Sequence, residues 1–161
     1  MSKRLPKPFP YLAADQTECR ILVVDDHPVN RTLLVRLLER SGFIVNQTTN
    51  GSDAFILWQE WQPQLILMDL LMPGMGGREA TRLIRATERI ARQPPTTIIA
   101  ITAQTMPIFS HHAHAVGFDD IITKPIQPDS IFECIGHYLK LQYVENSAQA
   151  LNAQALDINF S

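Results

Sequence analysis

The segment Arg20-Ile21-Leu22-Val23-Val24-Asp25-Asp26-His27-Pro28 decides how the rest of the chain is read. Four consecutive β-favouring apolar residues with no polar alternation mark a strand buried on both faces. Two acids end the run, and Pro28, with φ already fixed near the helical value, opens a helix. Val29, Leu33, Leu37 and Leu38 recur on one face of that helix, and Gly42 ends it. A fully apolar strand followed at once by an amphipathic helix is the repeating unit of a parallel sheet covered by helices.

Working outward, the unit repeats. Ile44-Val45 begins a second strand, more alternating and therefore nearer a sheet edge. Asn50-Gly51 turns into a helix with Ala54, Phe55, Trp58 and Trp61 along its inner stripe, and Pro63 stops it. Leu65-Ile66-Leu67-Met68 is the third strand. Gly74, Gly76 and Gly77 mark a loop before Ala80, Leu83, Ile84 and Ile90 recur at helical spacing. Pro94-Pro95 breaks the chain ahead of a fourth strand, Thr97 to Ile101. The fourth helix, Ile108 to Val116, is closed by Gly117 and leads to a fifth strand, Ile121-Ile122-Thr123. The last helix runs from Pro128 to Leu141, with Ile131, Phe132, Ile135, Tyr138 and Leu139 inward. Five strands alternating with five helices predict an α/β, doubly wound parallel sheet with right-handed crossovers. This domain spans residues 19–141. Residues 1–18, rich in proline, read as a flexible or extended arm or linker. Residues 142–161, rich in Asn, Gln, Ala and Ser, read as a tail with weak helical spacing at Leu151, Ala155 and Leu156.

Composition narrows the function. The 161 residues are 45% hydrophobic and 19% charged, within the range of globular proteins. Lys plus Arg is 14 against 16 Asp plus Glu, a net charge of −2, so there is no bulk field for nucleic acid. No apolar run approaches the roughly 18 residues that cross a bilayer, and prolines 6, 8 and 10 interrupt any signal-peptide core. Cys19 and Cys134 are too few for a disulfide framework and lack a metal-site spacing. A cytoplasmic, reduced protein is the expectation.

In doubly wound sheets ligands bind beyond the carboxyl ends of the strands. Asp25-Asp26 follow the first strand, Asp69 the third, Thr102 the fourth and Lys124-Pro125 the fifth. Each alone is an ordinary cap or turn residue; together they form one rim. Three carboxylates in one place repel unless a cation joins them, and a hard, oxygen-liganded cation such as Mg²⁺ suits them. A carboxylate can attack a phosphoryl group, while metal, ammonium and hydroxyl stabilise the phosphoryl oxygens. Asp69, at the central strand end, is the candidate nucleophile. Asp25 and Asp26 are candidate metal holders, with Lys124 and Thr102 on the phosphoryl group.

The segments Ile21 to Arg31, Leu65 to Pro73, Ile101-Thr102-Ala103 and Gly117 to Ile126 resemble the receiver domain of two-component response regulators, in order and in spacing. The resemblance implies a flavodoxin-like (CheY-like) fold of strand order 2-1-3-4-5. It implies that Asp69 accepts a phosphoryl group from a phosphohistidine, with Mg²⁺ held by Asp26, Asp69 and the Leu71 backbone carbonyl, and Asp25 acting through water. It also implies a cis Lys124–Pro125 bond. The details of Asp25 to Arg31 and of Thr123-Lys124-Pro125-Ile126 are most like receivers of hybrid sensor kinases or phosphorelays. The implied partners are a histidine kinase, in cis or in trans, and a histidine phosphotransfer domain. A homodimer through the fourth and fifth helices is a further expectation. The residues after Leu141 are too few for an ordinary DNA-binding domain, which leaves a stand-alone relay receiver or a receiver cut from a hybrid kinase.

Two positions depart from the family pattern. Ile121 stands where receivers usually place Tyr or Phe, which puts the usual threonine–aromatic switch in question but not the phosphorylation chemistry. Ile121→Ala is therefore expected to leave Asp69 labelling largely intact, and loss of phosphoryl uptake would contradict this. Gly76 replaces a common Asp and loosens the loop before the third helix. Leu71 and Gln104 occupy positions that tune hydrolysis, and an apolar Leu71 cannot orient a water, so a phosphorylated state lasting longer than seconds is expected. His111 and His114 lie one helical turn apart and could share a transition metal, but with His112 they read as a solvated face. His27 could line the rim, cap or face solvent; Trp58 and Trp61 read as core and edge packing, and Cys134 as buried and inert. Two other classes compete: an aspartate-nucleophile phosphatase of the haloacid dehalogenase type, which wants an acid where Leu71 stands, and a pseudo-receiver scaffold, against which the intact Asp25, Asp26, Asp69, Thr102 and Lys124 argue.

Overall fold

The computed structural model describes residues 10–16, 18–103 and 107–145. In chain order the strands are β1 (Pro10–Leu12), β2 (Arg20–Val24), β3 (Ile44–Thr48), β4 (Leu65–Asp69), β5 (Thr97–Thr102), β6 (Asp120–Thr123) and β7 (Tyr143–Glu145). The helices are α1 (Pro28–Arg40), α2 (Gly51–Trp61), α3 (Gly77–Ala91), α4 (Pro107–Val116) and α5 (Pro128–Leu139), with a 3-10 turn at Ala14–Gln16. The main sheet has five strands in the order β3-β2-β4-β5-β6, all parallel. Counted from β2, this is the order 2-1-3-4-5, and the more alternating β3 lies at an edge.

Strand alternation divides the core between the two faces. Ile21, Val23, Leu65, Leu67, Ile99 and Ile101 meet Leu34, Leu38, Ile131 and Ile135 of α1 and α5. Leu22, Val24, Ile66, Met68, Ile98 and Ala100 meet Ala54, Trp58, Ala80 and Ile84 of α2 and α3. Both faces of β2, β4 and β5 are covered, so each reads as a continuous apolar run. Helix ends follow local chemistry. Asn50 caps α2 by accepting from the Asp53 N–H at 2.9 Å, whereas Gly76 at the N-cap of α3 offers no side-chain bond.

The inner stripes of two helices differ from their sequence spacing. Val29 and Leu33, placed inward with Leu37 and Leu38, are 67% and 54% exposed, while Leu34, Val35, Leu37 and Leu38 are buried. At about 100° per residue, Val29 and Leu33 stand well over a quarter-turn from the line through Leu34 and Leu38. Similarly Leu83 and Ile90 of α3 are exposed, and Ala80, Thr81, Ile84 and Glu88 face in.

The flanks also contribute structure. β1 pairs antiparallel with β7, matching Pro10 with Glu145 and Leu12 with Tyr143. The Leu12 N–H donates to the Ser41 carbonyl at 3.0 Å, and the Tyr143 hydroxyl donates to the Phe132 carbonyl at 3.0 Å. Tyr143 crosses α5 at Gly136, where a Cβ would sit 2.9 Å from its ring. No local periodicity marks these strands, because each exists only through its partner at the other end of the chain. Residues 146–161, which include the weak helical spacing of the tail, lie outside the described residues. Among the described residues, no helix is long and apolar enough to cross a membrane.

Candidate functional site

The strand register assembles the rim. Val24 lies beside Met68, so Asp25 and Asp69 leave neighbouring strands at the same level. Asp69 is paired with Ile101, and Thr102 with Thr123, which places Thr102 and Lys124 at the adjoining ends. The β2–α1 turn is then held from three sides. The Asp25 N–H donates to the Thr48 carbonyl at 3.2 Å, the His27 N–H to Asp25 Oδ1 at 2.8 Å, and Arg31 to the Asp25 carbonyl at 2.9 Å. Arg31 also donates to Gln47 Oε1 at 3.1 Å, tying α1 to β3. Sequence alone singled out no role for Arg31; its position one turn into a helix that follows an acidic pair was the available signal.

One carboxylate oxygen each of Asp25, Asp26 and Asp69 lies within 4.8 Å of the others. Asp25 is 1% and Asp69 5% exposed, while Asp26 faces solvent. Lys124 Nζ stands 3.1 Å from Asp69 Oδ2 and 3.4 Å from Asp25 Oδ2. Burial raises the Asp69 carboxyl above its usual range and the Asp25 charge adds to this, against the lowering by Lys124 and by the Leu71 N–H. For Lys124 burial works toward a lower value, yet the hydrogen bond to Asp69 and the charges of Asp25 and Asp69 leave the ammonium above its ordinary value. Buried acids and a single ammonium thus form a polar centre rich in anionic oxygen, suited to a hard cation.

The surroundings fix this centre. The Leu71 N–H donates to Asp69 Oδ1 at 3.3 Å, and the Leu71 side chain is exposed. Gly77 opens α3 so close to β4 that an added Cβ would collide with the Asp69 carbonyl oxygen. The Lys124 N–H donates to the Thr102 carbonyl at 2.8 Å, Thr102 is buried, and the Lys124–Pro125 bond is cis. Ile121 is half-buried and packs against the core on the α2–α3 side.

The remaining singled-out residues fall elsewhere. His27 is the exposed N-cap of α1 and makes no side-chain cap bond. His114 Nδ1 lies 3.1 Å from the Phe118 carbonyl, His112 is exposed, and the side chains of His111 and Gln104 lie outside the described residues. Among the described residues, Asp25, Asp26 and Asp69 are the group arranged to hold a metal. Trp58 is buried and donates to Thr96 Oγ1 at 2.8 Å, while Trp61 is half-buried. Burial, with the Asp120 charge added, pushes the half-buried Cys134 thiol up to about 12.

A family model for the response regulator receiver domain matches residues 21–136. The chain is 36% identical over 140 residues to the sensor protein GacS of Pseudomonas syringae, covering 87% of this chain and 15% of that protein. The chain therefore spans about a sixth of the length of such sensor kinases, 15% and 16% for two of them. The receiver domain of the Saccharomyces cerevisiae response regulator Ssk1, solved with the histidine phosphotransfer protein Ypd1, superposes with a TM-score of 0.72 at 28% identity, covering 76% of this chain and 89% of that one. The receiver domain of a Pseudomonas aeruginosa sensor histidine kinase, solved with a magnesium ion coordinated in the active-site cleft, gives 0.68 at 29% identity, covering 76% and 98%. The matched residues take in the doubly wound sheet together with its acidic rim and Lys124, and the chain belongs to the response regulator receiver domain family of two-component signalling.

Proposed function

We propose that residues 19–141 accept a phosphoryl group from a phosphohistidine onto Asp69 and pass on the signal by altered partner binding. The observation that carries this reading is the buried Asp69 carboxylate, 3.1 Å from Lys124 Nζ and grouped with Asp25 and Asp26. A carboxylate oxygen of Asp69 forms a P–O bond as the phosphorus–imidazole bond breaks, and the departing imidazole nitrogen takes a proton from solvent. Lys124 and the Thr102 hydroxyl then stabilise the phosphoryl oxygens on Asp69.

The acidic trio fits Mg²⁺: all donors are hard oxygens, and their mutual repulsion calls for a divalent charge. Asp26, Asp69 and the Leu71 carbonyl would hold it directly, with Asp25 through water. When bound, the ion supplies positive charge to the transferring phosphoryl group. The similarity to the Ssk1 receiver domain, solved with a phosphotransfer protein, and to the sensor kinases supports a histidine phosphotransfer domain and a histidine kinase, in cis or in trans, as partners. Exposed Val29 and Leu33 on α1 and Leu71 beyond β4 provide apolar surface on the segments that leave the rim.

Incubation with Mg²⁺ and acetyl phosphate, followed by intact-mass measurement, tests the proposal. Wild type should gain one phosphoryl group, and Asp69→Asn none. Absence of labelling together with absence of fluoroberyllate binding in wild type would instead make the chain a scaffold.

A further inference from the structure

Helix α3 carries arginines at 78, 82, 85 and 89, and Arg92 caps its C-terminal end, all in alternating steps of four and three residues. That spacing aligns the four helical arginines on one stripe, and like charges so placed weaken a helix rather than strengthen it. Attraction to the helix C-terminus accounts for cations in the last turn only, which leaves out Arg82. Arg85 is turned to structural use. It donates to the Gly117 carbonyl, the Thr96 carbonyl, Glu88 and Asp119 at 2.8–2.9 Å, and Glu88 also accepts the Thr96 N–H at 2.7 Å. Glu88 and Asp119 are therefore already engaged. Arg82, Arg89 and Arg92 are exposed, and their guanidinium groups form no ion pair among the described residues.

These arginines line a cleft of about 870 Å³ between α3 and the C-terminal end of α4. That volume is within the range of small-molecule sites. His114, also in the lining, is held in place there with its Nδ1 beside the Phe118 carbonyl at 3.1 Å. Pro95 and Val116 supply apolar wall. Guanidinium groups pair with phosphate oxygens in bidentate fashion, and several on one stripe match a chain of phosphates better than a single carboxylate. None of the rim residues lines the cleft, and its far end at Arg92 lies about 20 Å along the α3 axis from the helix start beside Asp69.

We propose that this cleft is a second binding site, specific for a polyphosphate group, borne by a nucleotide or present as inorganic polyphosphate. Calorimetric titration of the whole chain in magnesium-free, low-salt buffer with ATP, tripolyphosphate and adenosine tests this. ATP and tripolyphosphate should bind and adenosine should not. A clear preference for ATP assigns the nucleotide, and equal affinity assigns the inorganic form. Arg82→Gln/Arg89→Gln, with its fold verified by circular dichroism, should weaken binding at least tenfold, while Asp69→Asn should leave it unchanged. Arg89→Glu alone serves as the second variant and should lower affinity in the same direction. Failure of both phosphates to bind up to about 1 mM overturns the proposal. So does binding that survives both arginine variants, or a polyglutamate peptide that binds where the phosphates do not.

Discussion

At the scale of single residues, the site is a balance of buried charge. Lys124 is the cation within hydrogen-bond reach of both Asp69 and Asp25. Removing it leaves two buried carboxylates facing each other, and a buried unpaired charge costs several times what an exposed one does. Lys124→Ala should therefore unfold at lower urea than wild type in magnesium-free buffer, by about 1–3 kcal/mol, and should recover more of its stability on adding Mg²⁺. Equal responses of the two proteins to the metal would mean that Lys124 does not balance the acids. Asp25, Asp26, Asp69, Thr102 and Lys124 were legible as a group because each ends an apolar run. Arg31 was not, since its bond to the Asp25 carbonyl depends on how α1 leaves the strand, which no spacing states.

At the scale of elements, close approach at one end of a helix sets the site. α3 can start beside β4 only because Gly77 has no Cβ to meet the Asp69 carbonyl oxygen and the Met68 side chain. Gly77→Ala should cost about 1–3 kcal/mol through overpacking and should slow acetyl phosphate labelling, as read by urea midpoint and by mass. Unchanged labelling at reduced stability would uncouple the helix start from Asp69. The middle of α3 is pinned by Arg85, which reaches both the residue before β5 and the loop before β6. Element type and order were legible for the main sheet and its helices, because strands buried on both faces and amphipathic helices have different periods. The inward stripes of α1 and α3 were less so: an apolar residue such as Ile90 can sit exposed, and a polar one such as Glu88 can be buried once Arg85 and Thr96 satisfy it.

At the scale of the whole molecule, residues 10–12 and 143–145 pair with one another beside the domain, with Tyr143 against α5. Burial raises the Tyr143 hydroxyl, and burial with Asp120 lifts the Cys134 thiol from 9.0 to about 12. Folded values above the unfolded ones mean that both groups contribute fully below about pH 9. That contribution is lost as pH climbs through 9 toward 12, because the unfolded chain ionises first. The urea midpoint should fall across this window, and Cys134→Ala should flatten the fall; a midpoint indifferent to pH there would show that neither group is shielded in the fold. The sequence by itself determined the parallel α/β architecture and the five rim residues, because both are written in local patterns of strand, turn and helix. Only the tertiary structure decided the β1–β7 pairing, the Arg31 brace and the arginine-lined cleft beside α4. Each of those joins segments far apart in the chain, and contacts of that kind carry no periodic trace in either partner.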